Sequence, residues 1–242
     1  MNASTKSLLV GGAGALLGVG AYATFVPQSG VWGPVIYRGT SDDPPRVALT
    51  FDDGPTAGAT DRVLDILGEL DVKAAFFVIG RNVEREPQLL ARMAAQGHLI
   101  GNHSYDHSRW GIFGQYRYWR EQIARTDTAI ERVLGQKSTM FRPPMGQKTP
   151  HIMSAARQTG HAVVTWNVRG WDGLATTTPR ILRRILPQCR PGSIILLHDG
   201  TEPGRRRDAS PTIAAIKPLV LELRARGLEV GSLAEMMKAG KA

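Results

Sequence analysis

Cysteine is nearly absent from this chain, since Cys189 is the only one in 242 residues. A single thiol excludes an intrachain disulfide. A chain of this length with 42% hydrophobic residues can bury one substantial core without a disulfide. Internal repeats and low-complexity tracts are also missing, which excludes a repeat array. No module of basic residues interleaved with aromatics is visible, so we expect no nucleic-acid partner. The net charge is nevertheless +9, and its densest cluster is Arg205–Arg207. This charge suits anionic lipid head groups or an acidic glycan.

Charge is absent from Leu8–Val26, a stretch rich in glycine, alanine and leucine. It is long enough to span a bilayer, and Ala21-Tyr22-Ala23 resembles a signal-peptidase site. We expect residues 1–27 to be a signal anchor, or else a cleaved signal peptide, and residues 28–45 to be a linker. The protein would then work outside the cytoplasm, either anchored in the inner membrane or secreted to the periplasm or cell envelope.

Beyond residue 45, short apolar runs alternate with amphipathic segments. The predicted strands are Arg46–Phe51, Ala74–Ile79, His98–Gly101, Thr139–Phe141, Ala162–Trp166, Ser193–Leu197 and Leu228–Val230. The predicted helices are Ala59–Leu70, Val83–Gln96, Tyr116–Leu134, Thr149–Thr159, Thr178–Leu186 and Thr212–Arg226. This alternation indicates a single α/β domain over residues 46–238, with parallel strands and right-handed crossovers.

Two adjacent carboxylates, Asp52 and Asp53, end the first predicted strand and precede Gly54-Pro55. Neighbouring side chains of a strand point to opposite faces, so both can serve one site only where the strand ends and twists. Carboxylates this close repel each other unless a cation or a proton is held there. The pair therefore indicates either a surface turn or the place of a metal ion and a general base.

His103 and His107 follow another predicted strand and lie four residues apart. This spacing puts both imidazoles on one side of a helical turn, and imidazole is the commonest neutral metal ligand. Two histidines and one carboxylate leave a coordination position open for water, as catalytic zinc sites require. Together with Asp53 they predict a site for a divalent metal ion, zinc before cobalt or nickel.

Three further motifs are Arg142-Pro143-Pro144-Met145-Gly146, Trp166 to Asp172, and Leu196-Leu197-His198. All five motifs lie at or just beyond the C-terminal end of a predicted strand, the face on which parallel barrels collect their catalytic groups. In this order, over about Val47 to Leu233, they resemble the motifs of the NodB-type polysaccharide deacetylases, carbohydrate esterase family 4.

The resemblance implies a distorted seven-stranded (β/α) barrel that acts on an acetylated glycan. We also expect the chain to be a monomer. The implied activity is metal-dependent removal of acetyl groups from N-acetylhexosamine units of peptidoglycan, a chitin-like glycan or poly-N-acetylglucosamine. Deacylation of a lipid-linked sugar and O-acetyl ester hydrolysis stay open as alternatives. An inactive glycan-binding protein is a remote one, because every catalytic position is filled.

The resemblance also implies a role for each matching residue. The metal ligands are Asp53, His103 and His107, the catalytic residues are Asp52, His198, Arg142 and Asp172, and the substrate-binding residues are Pro143, Met145, Trp171 and Leu196. Asp52 is the general base, which Arg142 orients, and His198 is the general acid. Asp172 accepts the other ring N–H of His198.

The substrate-binding residues have separate parts in this scheme. The backbone N–H of Met145 would be an oxyanion donor, and Leu196 would form a pocket wall. Trp171 would either stack on a sugar or simply pack. Two positions depart from the family pattern: Met145 stands where tyrosine is usual, and Arg169 stands where the first aspartate of the fourth motif is common.

Overall fold

The computed structural model describes residues 18–40 and 44–238, apart from the side chain of Lys238. Its centre is a curled sheet with the strand order β5-β4-β3-β2-β1-β7-β6, and β8 pairs with the start of β1. All pairings are parallel. The strands are β1 (Arg46–Asp52), β2 (Ala75–Val78), β3 (Leu99–Asn102), β4 (Met140–Phe141), β5 (Ala162–Val163), β6 (Val168–Arg169), β7 (Ile194–His198) and β8 (Glu229–Val230).

Helices cover the outside of the sheet. They are α1 (Thr60–Glu69), α2 (Gly80–Arg85), α3 (Pro87–Ala95), α4 (Tyr116–Leu134), α5 (Pro150–Gln158), α6 (Thr178–Ile185), α7 (Ser210–Ala225) and α8 (Leu233–Lys238). Among the described residues, no ladder joins β5 to β6, so the sheet curls without closing. The expected distorted seven-stranded (β/α) barrel is confirmed.

The alternation of side chains along β1 separates two hydrophobic clusters. Val47, Leu49 and Phe51 pack with the helices on the outer side of the sheet, whereas Ala48 belongs to a second cluster with Phe77. Both faces of the strand are buried, as parallel sheets covered by helices require. The polar residues of the site begin where this strand ends.

Two predicted elements are wrong in extent. Val83–Gln96 is divided into α2 and α3, because Pro87 lacks an N–H and the residue before a proline avoids helical backbone. The strand predicted over Ala162–Trp166 ends at Val163, and a further strand that was not predicted, β6 (Val168–Arg169), pairs with β7. The carbonyls of Val164 and Thr165 accept hydrogen bonds from an arginine side chain, Arg142, instead of continuing a strand ladder.

The predicted linker contacts the barrel along the part that is described. Ile36 forms a parallel bridge with Val164, and Arg38 forms an antiparallel bridge with Ser193. Residues 18–25 before it are helical, and residues 1–17 of the predicted signal segment lie outside the described residues. Within residues 18–40 and 44–238, no helix has both the length and the apolarity needed to cross a bilayer.

Lys148 holds this N-terminal segment to the barrel from beneath the third motif. Its buried ammonium donates hydrogen bonds to the carbonyls of Val26 (2.7 Å) and Pro27 (3.1 Å), and its backbone N–H donates to Thr24 (3.0 Å). Burial lowers the pKa of Lys148 to about 8. The side chain therefore joins two segments that lie more than a hundred residues apart in sequence.

We expect Lys148→Ala to lower the free energy of unfolding by about 1–3 kcal/mol, the usual effect of removing hydrogen bonds to a charged group. Urea unfolding measures this change. Lys148→Met keeps the length of the side chain but has no hydrogen-bond donor, so it should lower the free energy of unfolding by nearly as much. Lys137→Ala on the surface serves as the control and should change it by less than about 0.5 kcal/mol. Full stability of Lys148→Met would show that packing, and not the ammonium, holds the segment.

Candidate active site

A cleft of about 570 Å³ opens at the C-terminal ends of the strands. Nine of the eleven site residues expected from the sequence line it: Asp52, Asp53, His103, His107, Met145, Trp171, Asp172, Leu196 and His198. Arg142 is fully buried behind Asp52, and Pro143 is buried at the base of the third motif without lining the cleft. Five strands or the loops after them thus contribute to one site.

Asp53, His103 and His107 converge at one end of the cleft, with their candidate ligand atoms all within 4.8 Å of one another. Oδ1 of Asp53 lies 3.6 Å from Nε2 of His103 and 3.5 Å from Nε2 of His107. Ligands held about 2.1 Å from a tetrahedral ion lie about 3.4 Å apart, so these spacings fit a shared ion. The same Oδ1 is buried and has no hydrogen-bond partner among the described residues. The three side chains therefore fit a divalent metal ion.

The protonation of His103 also suits a metal ligand. Its Nδ1 lies 2.7 Å from the carbonyl oxygen of Arg142, so that nitrogen carries the proton and Nε2 presents its lone pair. Burial, and then the neighbouring His107, lower the pKa of His103 to about 3. The imidazole is consequently neutral, which is the form that binds metal ions.

The expected helical turn at the two histidines is wrong, because residues 103–108 form a loop. Ser104 and His107 have left-handed backbone, with φ of 67° and 53°. Polar side chains stabilise this loop: Asn102 accepts from the N–H of Ser104, and Gln122 of α4 accepts from the N–H groups of residues 105 and 106. These contacts bring the two imidazoles within 4.8 Å of each other, between ring centroids.

The adjacent carboxylates reach the same cleft because the strand ends between them. Asp52 is the last residue of β1, and Asp53 has a left-handed φ of 73°, which breaks the alternation of the strand. Arg142 donates to Oδ1 of Asp52 at 2.7 Å and to the hydroxyl of Thr50 at 2.9 Å. This ion pair is almost fully buried and fixes Asp52 in place. Burial raises the pKa of the Asp52 carboxyl, and the charge of Arg142 opposes part of that rise.

His198 and Asp172 form a second ion pair in the cleft, and His198 is the register partner of Asp52 on the neighbouring strand β7. Oδ1 of Asp172 lies 3.0 Å from Nδ1 of His198, and Oδ2 accepts from the backbone N–H of His198 at 2.8 Å. Burial would lower the pKa of His198, but the charge and hydrogen bond of Asp172 dominate, with help from Asp53 and Asp52, and raise it to about 9. His198 is therefore a cation at neutral pH and has a proton to give.

Three supporting residues were not predicted from the sequence. Arg207 donates to the carbonyls of His198 (2.8 Å) and Asp172 (3.0 Å), so this member of the Arg205–Arg207 cluster is held in the site. Thr50 fixes the guanidinium of Arg142, and Glu202 lies 3.8 Å from Nδ1 of His107. In the sequence these three residues only lie near a motif. That position does not predict their contacts with distant segments of the chain.

The remaining substrate-binding residues form the walls of the cleft. Met145 has left-handed backbone with φ of 55°, and its side chain is exposed. Gly146 follows it with φ of 69°, and a side chain at Gly146 would collide with the ring of Trp166 at 2.5 Å. Leu196 is almost buried in the floor, whereas Trp171 is 45% exposed at the rim.

Comparisons with known proteins agree with this arrangement. The family model described as polysaccharide deacetylase matches residues 39–164. A peptidoglycan-N-acetylglucosamine deacetylase of Bacillus cereus is 33% identical over 196 residues, which cover 81% of this chain and 70% of that protein. This chain belongs to the polysaccharide deacetylase family.

Other members extend the same likeness. A chitooligosaccharide deacetylase of Sinorhizobium fredii is 37% identical over 218 residues, which cover 88% of this chain and 96% of that protein. The crystal structure of the Bc1960 peptidoglycan N-acetylglucosamine deacetylase aligns with a TM-score of 0.77 at 31% identity, covering 84% of this chain and 92% of that one. The polysaccharide deacetylase fold thus spans most of the chain.

Proposed function

We propose that this chain is a metal-dependent hydrolase that removes acetyl groups from N-acetylhexosamine units of a polysaccharide. The observation that carries the proposal is the convergence of a three-ligand site, a buried carboxylate and a protonated imidazole in one cleft. Amide hydrolysis needs a polarised carbonyl, an activated water and a proton for the leaving amine, and the cleft can meet all three needs. Membership of the polysaccharide deacetylase family supports the same reaction.

Asp53, His103 and His107 would hold the divalent metal ion, and two imidazoles with one carboxylate favour zinc. When bound, such an ion polarises a carbonyl and lowers the pKa of water. Asp52 lies beside these ligands with one oxygen bound to Arg142, so its other oxygen can take a proton from the attacking water. The pKa of Asp52, raised by burial, makes it a better base than an exposed carboxylate.

His198, on the strand next to Asp52, would complete the reaction as the general acid. As the C–N bond breaks, its Nε2 proton passes to the departing sugar amine, while Asp172 keeps the other ring nitrogen protonated. The backbone N–H of Met145 would stabilise the developing oxyanion, and Leu196 would contact the acetyl methyl group. The products are acetate and a free amino sugar.

The names of the relatives indicate a glycan as the substrate, since one is named for peptidoglycan and another for chitooligosaccharides. Peptidoglycan together with the uncharged stretch Leu8–Val26 supports our proposal that the reaction takes place outside the cytoplasm. Association with the inner membrane through the N-terminal segment stays a prediction.

Release of acetate tests the proposal directly. The purified full chain should release acetate and expose amines on N-acetylglucosamine oligomers, peptidoglycan or poly-N-acetylglucosamine, with acetylxylan as the ester comparison. Removing the metal with a chelator should abolish the activity, and zinc or cobalt should restore it at one ion per chain. Full activity in metal-stripped protein would overturn the assignment of the three ligands, and release from acetylxylan alone would make the chain an O-acetyl esterase.

Asp172→Asn should move the alkaline limb of the pH profile to lower pH. In the native chain His198 loses its proton near pH 9, so turnover of an amide should fall as the pH rises through that region. Without the negative charge of Asp172 the imidazolium is less stable, and we expect the limb to shift down by at least about one pH unit. Profiles of kcat/KM measure the shift, with the exposed Asp71→Asn as the control. An unmoved limb would show that Asp172 does not set the pKa of His198.

A further inference from the structure

The charged groups that line the cleft are not all paired with one another in the free protein. Five carboxylates and five guanidinium groups line it: Asp52, Asp53, Asp172, Glu202 and Asp208, with Arg109, Arg169, Arg205, Arg206 and Arg207. Four of the five carboxylates have a partner within the protein: Asp52 pairs with Arg142, Asp172 with His198, Glu202 with Arg109, and Asp208 accepts from the N–H of Ser210. Asp53 faces the two imidazoles, where it would be a ligand of the metal ion.

The arginines are divided into two groups. Arg109 and Arg205 pair with Glu202, and Arg207 is bound to Asp172 and to backbone carbonyls. In contrast, Arg169 and Arg206 have no carboxylate within 4.0 Å among the described residues. The cleft thus presents two positive charges that the protein itself does not neutralise.

Arg169 is placed and oriented within the wall of the cleft. It lies on β6 opposite Leu196, two residues before His198 along β7. From strand spacings, its Cα is about 8 Å from that of His198, so a side chain that lines the cleft here is within reach of the acetylated sugar or its direct neighbour. Its guanidinium stacks on the ring of Trp171, 3.3 Å from the centroid. Stacking uses the faces of the guanidinium and leaves its N–H edges available for a bidentate anion.

We propose that Arg169, supported by Arg206, binds an anionic group of the glycan, a carboxylate or a phosphate on the acetylated sugar or its neighbour. The partly buried guanidinium of Arg169 would gain in this complex the counter-ion that the free protein lacks, and Trp171 keeps it in position. The net charge of +9 favours the approach of such a substrate. The proposal rests on the proposed deacetylase function and adds the charge of its substrate.

Three matched tetrasaccharides of N-acetylglucosamine test it: a neutral one, one that carries a sugar carboxylate, and one that carries a phosphate monoester. We expect kcat/KM at low salt to be about tenfold or more higher for an anionic substrate than for the neutral one, and the ratio should shrink as salt is added. Arg169→Gln should remove most of this preference, and Arg206→Gln a smaller part. Arg157→Gln, an exposed arginine outside the cleft, changes the net charge equally and should keep the ratio.

The ratio of kcat/KM for an anionic and the neutral saccharide is measured on the same enzyme sample. A variant that has lost folding or metal therefore loses activity on both, and only a change in anion binding alters the ratio. Arg169→Lys keeps the charge without the planar fork and should retain only part of the preference. Whether the carboxylate or the phosphate is preferred identifies the source of the anion. Equal values for neutral and anionic substrates, or a preference that survives Arg169→Gln, would overturn the inference.

Calorimetric Kd values for the same saccharides give the same comparison without turnover. A preference for the anionic saccharide in Kd that is lost in Arg169→Gln, with no acetate released from any of the three, would support the anion site and count against the hydrolase. Acetate release with no preference for the anionic saccharide in kcat/KM or Kd would support the hydrolase and count against the anion site. The failure of the inference is therefore distinguishable from the failure of the proposed function.

Discussion

Asp52→Asn should abolish deacetylation while the protein keeps its divalent metal ion. An amide side chain cannot take a proton from water, so we expect kcat to fall by at least about 10²–10⁴-fold, the usual contribution of a general base. The shape of the side chain is preserved, and its oxygen can still accept the hydrogen bond of Arg142. The loss should therefore be one of chemistry and not of folding.

His103→Ala provides the contrast, because it should lose both metal and activity. The distances alone do not separate the two carboxylates: Nε2 of His103 lies 3.5 Å from Asp52 and 3.6 Å from Asp53. Arg142 separates them, since it binds an oxygen of Asp52, whereas Oδ1 of Asp53 lies without a hydrogen bond between two imidazoles. Metal content after dialysis and acetate release, measured on the same samples, distinguish the variants. If Asp52→Asn loses the metal, the roles of the adjacent aspartates are reversed.

The fold was largely predictable because its strands and helices have strong local signals. The helix Tyr116–Leu134 is found with the predicted bounds, and it ends at Gly135, whose left-handed φ of 71° suits a helix C-terminus. The separate β6 was not predictable, because the chain leaves the sheet at Val164 to meet Arg142 and Ile36. Contacts between distant segments end the strand here, and no local sequence pattern predicts such contacts.

In the site too, local sequence predicted some features, whereas contacts between distant segments determined others. The motifs identified the residues that line the cleft, but the helical turn expected at His103 and His107 gave the wrong backbone, because Gln122 of another element holds the loop. The spacing of the two histidines carried no information about that contact. Likewise, Arg206 and Arg207 are neighbours in a single basic run, yet one is bound in the site and the other has no carboxylate partner among the described residues. Only the tertiary structure separates their roles.

His198→Ala should lower kcat on an N-acetylated glycan by about 10²–10⁴-fold, and the loss should depend on the leaving group. A sugar amine is a poor leaving group that needs a proton as the C–N bond breaks. The pKa of about 9 means that His198 holds this proton at neutral pH. An aryl acetate releases a phenolate that needs no proton, so its hydrolysis should fall much less in the same variant.

The ratio of these two losses tests the role of His198 as a general acid. The kcat values of wild type and His198→Ala are compared on an N-acetylglucosamine oligomer and on an aryl acetate, with metal content checked in both proteins. His151→Ala on the exposed side of α5 controls for the loss of an imidazole and should leave both rates unchanged. Equal losses on the two substrates would assign His198 to a step before proton donation, such as positioning the acetyl group. A loss confined to the amide would place its proton on the departing nitrogen, because only that step differs between the two reactions.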